Sequence, residues 1–311
     1  MPLISVILPV FNTERFIRRC LESIVGQSVS DIEIVIVNDA TPDRAMDVVR
    51  EFAQHDSRFV IVDKEKNEGL MMARKTGYEL AKGDYIVFCD SDDLLLPDAL
   101  RILYDKVVSE SADIAMSGYR YIEVSGKTTD AIYRLPYGNT RFEVMKALLE
   151  EKLPHNLWAN IYKRDLFTQY EYVCFANQTL GEDMMLFYQL VNNSNRIVTA
   201  DCVLYGYCQN MQSSMHVPLS DPTARKWASL TNSWYEFMVG TGLFPKLVDR
   251  RVLKSTYYKL RRGCNFSTVS DCSPAFRHLF YYKQYMSILG FRWGLRFFLY
   301  KTWREIFDRL S

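Results

Sequence analysis

The sequence lacks any apolar stretch long enough to cross a bilayer free of charges, which argues against a membrane span. It also lacks a CxxC pair and any Cys/His spacing of the zinc-binding kind. Its seven cysteines are scattered, and they read as reduced thiols of a cytosolic protein, with Cys20 and Cys89 on apolar faces. There are no repeats or low-complexity tracts. The chain opens on the strand-like run Leu3-Ile4-Ser5-Val6-Ile7-Leu8 rather than the charged, apolar and small-residue succession of a secretory signal. Net charge is small too, at +1, but unevenly spread. From Lys246 to Ser311 there are 14 basic and 4 acidic residues, against 24 and 33 in the preceding part, so the two regions are expected to meet different partners.

What is present is an alternation of apolar runs and helix-period segments, the signature of βαβ units and a mostly parallel sheet. Leu3–Leu8, Glu33–Val37, Phe59–Val62, Tyr85–Cys89 and Ile114–Gly118 read as strands. Between them, Thr13–Val25 reads as a helix capped by Asn12 or Thr13, Thr41-Pro42 opens a second, Leu70–Lys82 forms a third and Leu94–Glu110 a fourth. Tyr119–Leu135 reads as a hairpin. Thr140–Glu151 and Glu182–Val191 are further helices, and helical spacing returns beyond Asp221. The division is therefore an α/β domain over residues 1–220 and a helical, basic and aromatic extension over 221–311.

In an open α/β sheet, ligands bind outside the carboxyl ends of the strands. Here those ends run into Pro9-Val10-Phe11-Asn12, Asn38-Asp39-Ala40-Thr41, Asn67-Glu68-Gly69 followed by Ala73-Arg74, and Asp90-Ser91-Asp92-Asp93. Clustered carboxylates after a buried strand either supply hard oxygen ligands to a divalent cation or cap the helix announced by Pro97 and Asp98. In an extended segment residues i and i+2 point the same way, which would aim Asp90 and Asp92 at one ion and turn Asp93 elsewhere. Hydrogen-bonding loops, a cation and a metal site at one edge suit a nucleotide diphosphate.

In this order the motifs resemble glycosyltransferase family 2, the inverting GT-A enzymes that use nucleotide-activated sugars. The matching residues are Pro9-Val10-Phe11-Asn12, Asp39-Ala40-Thr41, Asn67-Glu68-Gly69 with Ala73-Arg74 and Gly77, the DXD-type Asp90-Ser91-Asp92-Asp93, and Glu182-Asp183. The resemblance covers roughly residues 3 to 215. Phe11 stands where the family usually has Tyr, and Lys75 where Asn often follows Ala-Arg.

The resemblance implies a Rossmann-like central sheet flanked by helices, and a donor site built from Pro9, Val10, Asn12, Asp39 and Asn67 on one side and Arg74, Asp90 and Ser91 on the other. Asp39 would accept from the imide N–H of a pyrimidine base, or else cap a helix beside Thr41. Arg74 would face the base or diphosphate, or else be a solvated helix charge. Asn67 would line the donor site or else serve only the turn. Asp92 would be the principal ligand of Mn²⁺ or Mg²⁺, helped by Asp90 and by His216 of a donor-covering loop. Asp183 is implied as general base with Glu182 orienting it or the acceptor, the other reading being two acids complementing a helix dipole. Trp158 is either a sugar platform or a core anchor.

Near the C-terminus, Leu295, Phe298, Leu299, Trp303, Ile306 and Leu310 recur at helical spacing among arginines. This suits a helix lying on an anionic membrane surface, the other readings being a helix packed on the catalytic domain or a homo-oligomer contact. Nucleic acid is not expected, because the aromatics form a stripe rather than alternating with a basic groove. The resulting expectation is a metal-dependent inverting transferase, peripheral on the inner face of the cell membrane, moving a sugar from a UDP-sugar to a glycan acceptor, lipid-linked, in surface polysaccharide synthesis. The alternatives are a nucleotide-binding scaffold without turnover, and a nucleotidyltransferase, which would carry a glycine-rich, basic phosphate loop where this chain has Pro9–Asn12.

Overall fold

The computed structural model describes residues 1–178, 181–210 and 221–261. His216 and the aromatic, basic segment beyond residue 261 lie outside the described residues. Internal contacts divide the chain into two compact units: Met1–Ala147 with Leu153–Asn177 and Glu182–Met211, and Leu148–Lys152 with Gln178–Gly181 and the chain from Gln212.

The first unit is an α/β sheet structure. Its strands are β1 (Ile4–Val10), β2 (Ile32–Asn38), β3 (Phe59–Asp63), β4 (Tyr85–Phe88), β5 (Leu94–Leu95), β6 (Ile114–Ile122), β7 (Thr128–Ala131), β8 (Asn160–Lys163) and β9 (Ile197–Cys208). The helices are α1 (Ile17–Val25), α2 (Ala45–Ala53), α3 (Leu70–Leu80), α4 (Ala99–Ser109), α5 (Arg141–Leu149), α6 (Asp165–Thr168) and α7 (Glu182–Asn193). Strand order is β3-β2-β1-β4-β8-β6-β9-β5, with β7 added beside β6. The half β3-β2-β1-β4 is wholly parallel; β8 runs antiparallel to both β4 and β6, and β6 pairs parallel with β9.

Chemistry explains the placement. All of β1 and nearly all of β2 are buried, as uninterrupted Val/Ile runs require when helices cover both sheet faces. The edge strand β3 is only part-buried. Helix α1 buries Ile17, Cys20, Leu21 and Ile24, the stripe its spacing predicts. Helix α3 lies close on β1 because Gly77 has no side chain: a Cβ there would stand 2.3 Å from Ile7 Cγ2. That contact sets where α3 carries Arg74.

Four sequence readings are corrected. The first helix begins at Ile17 without a side-chain cap; the Thr13 carbonyl accepts from the Phe16 and Ile17 N–H groups, while Asn12 has φ 57° and gives its N–H to Thr41 Oγ1. Thr41-Pro42 does not open α2, since Thr41 is drawn into the loop by Asn38 Oδ1 and Asp43 caps Ala45 instead. Leu94-Leu95 is not helix but β5, paired with Gly206 and Tyr205. Finally, the strand before the acidic cluster stops at Phe88 and Asp93 N–H bonds Asp90 O at 3.0 Å. Asp90–Asp93 is therefore a turn, and the period-two argument for Asp90 and Asp92 does not apply.

In the second unit α8 (Asp221–Thr241) and α9 (Pro245–Arg261) are joined at Gly242, whose φ is 68°, a value glycine adopts freely. Trp234, Met238, Val248 and Val252 are buried, and Glu151 pairs with Arg251 and with Lys254, the latter at 2.5 Å. Among the described residues no helix is long and apolar enough to cross a membrane.

Candidate active site

The strand ends of the parallel half carry the polar loops. Pro9 and Val10 end β1, Val10 buried, and Val10 O accepts the Asp39 N–H at 3.1 Å. Asp39, only 2% exposed, accepts from the backbone N–H groups of Glu68 at 3.0 Å and Gly69 at 2.8 Å and pairs with Lys64 at 3.0 Å. It does not cap α2, and it fastens the Asn67-Glu68-Gly69 turn to the end of β2. Gly69 has φ 90°, and a Cβ there would meet the Asn177 backbone at 3.2 Å, so that turn needs glycine. Each carboxylate oxygen has more than one acceptor direction, which leaves Asp39 capacity for a further donor.

One turn beyond Gly69, Arg74 is wholly buried. Its guanidinium goes to two carboxylates, Asp90 at 2.6 Å and Asp183, so it is neither a solvated charge nor aimed outward at a diphosphate. The pairing charge raises the guanidinium against the opposing cost of burial. Burial raises the Asp183 carboxyl, with Arg74 only partly offsetting it and the Asp90 charge adding to it. Both acids of the Glu182-Asp183 pair lie in the first turn of α7, a helix buried along most of its length, where the positive end of the helix dipole favours anions.

Glu182 is 9% exposed. Its Oε2 is buried without a hydrogen-bond partner among the described residues, and burial, then the charge of Asp183, push the acid up to about 8. One arginine thus serves three carboxyls, and burial beside Asp183 favours the protonated form of Glu182. A carboxyl raised on folding contributes stability below its unfolded value near 4.3 and loses it as pH rises through the folded one. Glu182→Gln should therefore raise the melting temperature at pH 9, with the gain closing by pH 4. A gain that is equal at both pH values would show that the carboxyl is not raised.

The acidic turn is held from both sides. Arg19 of α1 donates to Asp92 O at 3.0 Å and Asn210 Nδ2 to Asp92 Oδ2 at 2.9 Å. Asp93 is buried and accepts from Tyr205 Oη and Cys208 N, each at 2.8 Å. Tyr205 Oη in turn accepts the Asp90 N–H at 3.1 Å. Asp93 is therefore the anchor of the turn, with Ser91 buried beside it. Asp92 stays part-buried; burial and then the Asp90 charge lift it above the ordinary aspartate value. Among the described residues no three acidic, His or Cys side chains are grouped to hold a metal. Two neighbouring carboxylates, one of them raised by burial and by the charge of the other, nevertheless fit a hard divalent cation that keeps waters and takes its remaining oxygens from phosphate.

Trp158 precedes β8 and bridges to Phe88 of β4. Its ring lies against Tyr205, so packing and part exposure coexist. Tyr205 and Asn210 were not read from the sequence, although the alternation Val203-Leu204-Tyr205-Gly206-Tyr207-Cys208 was there to suggest a strand ending at the site.

Residues 5–169, more than half of the chain, match the family model described as Glycosyl transferase family 2. The chain belongs to glycosyl transferase family 2. That membership leaves no place for the nucleotidyltransferase reading. Among curated relatives, this family 2 chain is 35% identical over 216 residues to glycosyltransferase GlyA of Streptococcus pneumoniae, covering 66% of the chain and 30% of GlyA. It is 31% identical over 226 residues to the uncharacterized glycosyltransferase EpsJ of Bacillus subtilis, covering 70% of the chain and 64% of EpsJ. In both cases it spans less than two thirds of the relative. Among solved structures, TarS of S. aureus in complex with UDP-GlcNAc aligns with TM-score 0.69 at 16% identity over 92% of this chain and 80% of that one. A mannosyltransferase of Pyrobaculum calidifontis with GDP-Man and Mn²⁺ aligns with TM-score 0.56 at 14% identity, over 97% and 87%. At such identities the likeness is one of fold, and it confirms the GT-A expectation.

Proposed function

We propose that this family 2 chain transfers a sugar from a UDP-sugar, or a related pyrimidine nucleotide sugar, to a glycan acceptor with inversion at the anomeric carbon. The observation that carries the reading is Arg74, whose guanidinium binds a carboxylate of the acidic turn and the first-turn carboxylate of α7. It fixes a donor-side acid and an acceptor-side acid to one rigid group. Asp39 and the Val10 backbone receive the base, and Asn12, Asn67 and Ser91 shape the loops around it. Asp183 takes the proton of the attacking hydroxyl, in a single displacement opposite the leaving phosphate. Its raised affinity for protons makes it a stronger base than an exposed aspartate.

Asp92, with Asp90 and the His216 segment, would hold Mn²⁺ or Mg²⁺. Such an ion, when bound, stabilises the charge gathering on the departing diphosphate. The binding of UDP-GlcNAc by TarS and of GDP-Man with Mn²⁺ by the mannosyltransferase supports this reading by analogy. So does a curated relative named for minor teichoic acid biosynthesis, which points to surface polysaccharide. The basic, aromatic extension supports a lipid-linked acceptor met at an anionic membrane surface on the cytoplasmic side.

The test is a panel of UDP-, GDP- and CMP-sugars assayed for nucleotide release and thermal shift, with Mn²⁺ and with chelator. A UDP-sugar should be turned over and should stabilise the chain in Mn²⁺ only. Asp92→Ala should lose at least about tenfold in Mn²⁺-dependent UDP affinity, the lower end of what losing contacts to a bound ion costs. Equal UDP affinity in the variant, with and without Mn²⁺, would sink the metal assignment.

A further inference from the structure

Beside the acidic turn stands a connected group of aromatic rings that the donor chemistry does not use. Tyr119 and Tyr121 lie two residues apart on β6, so they share a sheet face, and their register partners on β9 are Tyr205 and Tyr207. Trp158 lies nearly parallel to two of the four, 4.8 Å and 18° from Tyr205 and 5.2 Å and 14° from Tyr207. Tyr121 continues the stack from Tyr207 at 5.8 Å and 29°, while Tyr119 meets the Trp158 ring edge-on at 5.1 Å and 88°.

Near-parallel rings about 5 Å apart are offset rather than eclipsed, so each leaves part of its face uncovered. Tyr205 is wholly buried, whereas Trp158, Tyr207 and Tyr121 are part-exposed. The inner end of this staircase is tied to the chemistry, because the Tyr205 hydroxyl holds the acidic turn.

Rings of this kind offer what a pyranose needs, an apolar plane for its C–H face. Charge narrows the choice. On the hairpin of β6 and β7, Arg120 is bound by Asp130 at 2.7 and 2.9 Å and Lys127 stands 3.8 Å from Glu123. Both hairpin cations are thus answered by carboxylates, which leaves them no excess positive charge for an anionic acceptor.

We propose that Trp158, Tyr207 and Tyr121 form the acceptor subsite for an uncharged glycan of at least two sugar units, with Trp158 under the sugar that is extended and Tyr207 with Tyr121 under the unit behind it. This rests on the transferase reading above and adds the acceptor's chemical class.

The experiment is calorimetric titration of the full chain, saturated with UDP and Mn²⁺, with chitotetraose, cellotetraose, maltotetraose and a glycerol-phosphate oligomer. At least one uncharged tetrasaccharide should bind more tightly than the phosphate oligomer. Tyr121→Leu should weaken it by about tenfold with melting temperature and UDP affinity held, while Tyr121→Phe, which keeps the ring, should bind as the parent does. Preference for the phosphate oligomer, binding to none of the four, or unchanged affinity in Tyr121→Leu overturns the proposal. A UDP titration in the same series separates the two readings. If UDP fails to bind while the tetrasaccharide binds and responds to Tyr121→Leu, the transferase reading falls and the glycan platform stands.

Discussion

Asp183→Asn is expected to lower sugar transfer by about 10²–10⁴-fold, the range a positioned general base contributes, while UDP-sugar affinity stays close to the parent. Asparagine keeps the shape, and its amide oxygen can still accept from Arg74. What it loses is the capacity to take a proton from the acceptor hydroxyl. Single-turnover transfer and calorimetry with UDP, run on the same preparation, separate the two effects. Near-normal turnover would remove Asp183 as base. The parent's pH profile gives a second check. Because burial and the Asp90 charge raise the Asp183 carboxyl, activity should fall on the acid side at a pH above the ordinary aspartate range near 3.9.

Arg74→Met should be the most destabilising single substitution in the site. Removing the guanidinium leaves Asp90 and Asp183, with side chains only 19% and 22% exposed, without their counter-charge. Breaking a buried pair from one side typically costs about 3–5 kcal/mol. The deficit must depend on pH. Without Arg74 the two ionised carboxylates lose their shared counter-charge, so the deficit should be greatest at pH 8 and should shrink toward about pH 3, below the ordinary aspartate value near 3.9, where carboxyls are protonated in folded and unfolded chains alike. Denaturant midpoints at the two pH values measure this, and a deficit independent of pH would mean that the loss is one of packing. Adding Asp183→Asn to Arg74→Met should restore part of the stability, because the pair is coupled.

The parallel half was legible because its strands are buried on both faces, which forces continuous apolar runs that no surface element imitates. The donor loops follow from it, since topology places them at the strand ends. The antiparallel continuation was harder. Strand β8 has four residues and β5 two, and a leucine pair before a proline reads as the start of a helix unless its partner is known. That partner is Tyr205-Gly206, more than a hundred residues away. The role of Arg74 was hidden for the same reason, because its carboxylates lie 16 and 109 positions along the chain and no local pattern announces them. Asp93 shows the limit from the other side. Within the acidic cluster it looks like its neighbours, and only burial against Tyr205 and Cys208 marks it as the anchor.

That anchor has a consequence for how the site comes into being. Asp93 and the Cys208 N–H are 115 positions apart, and closing so long a loop comes late, after local contacts have formed. A growing chain completes β1 to β4 and the nucleotide-facing loops well before β9 is made. Its acidic turn has no fixed form until the last strand of the sheet zips against β6 and reaches back to it. Catalytic competence therefore arrives with β9, and a chain ended before Ile197 would keep Arg19 and Arg74 beside the acidic cluster but lose the Tyr205 and Cys208 donors that anchor Asp93.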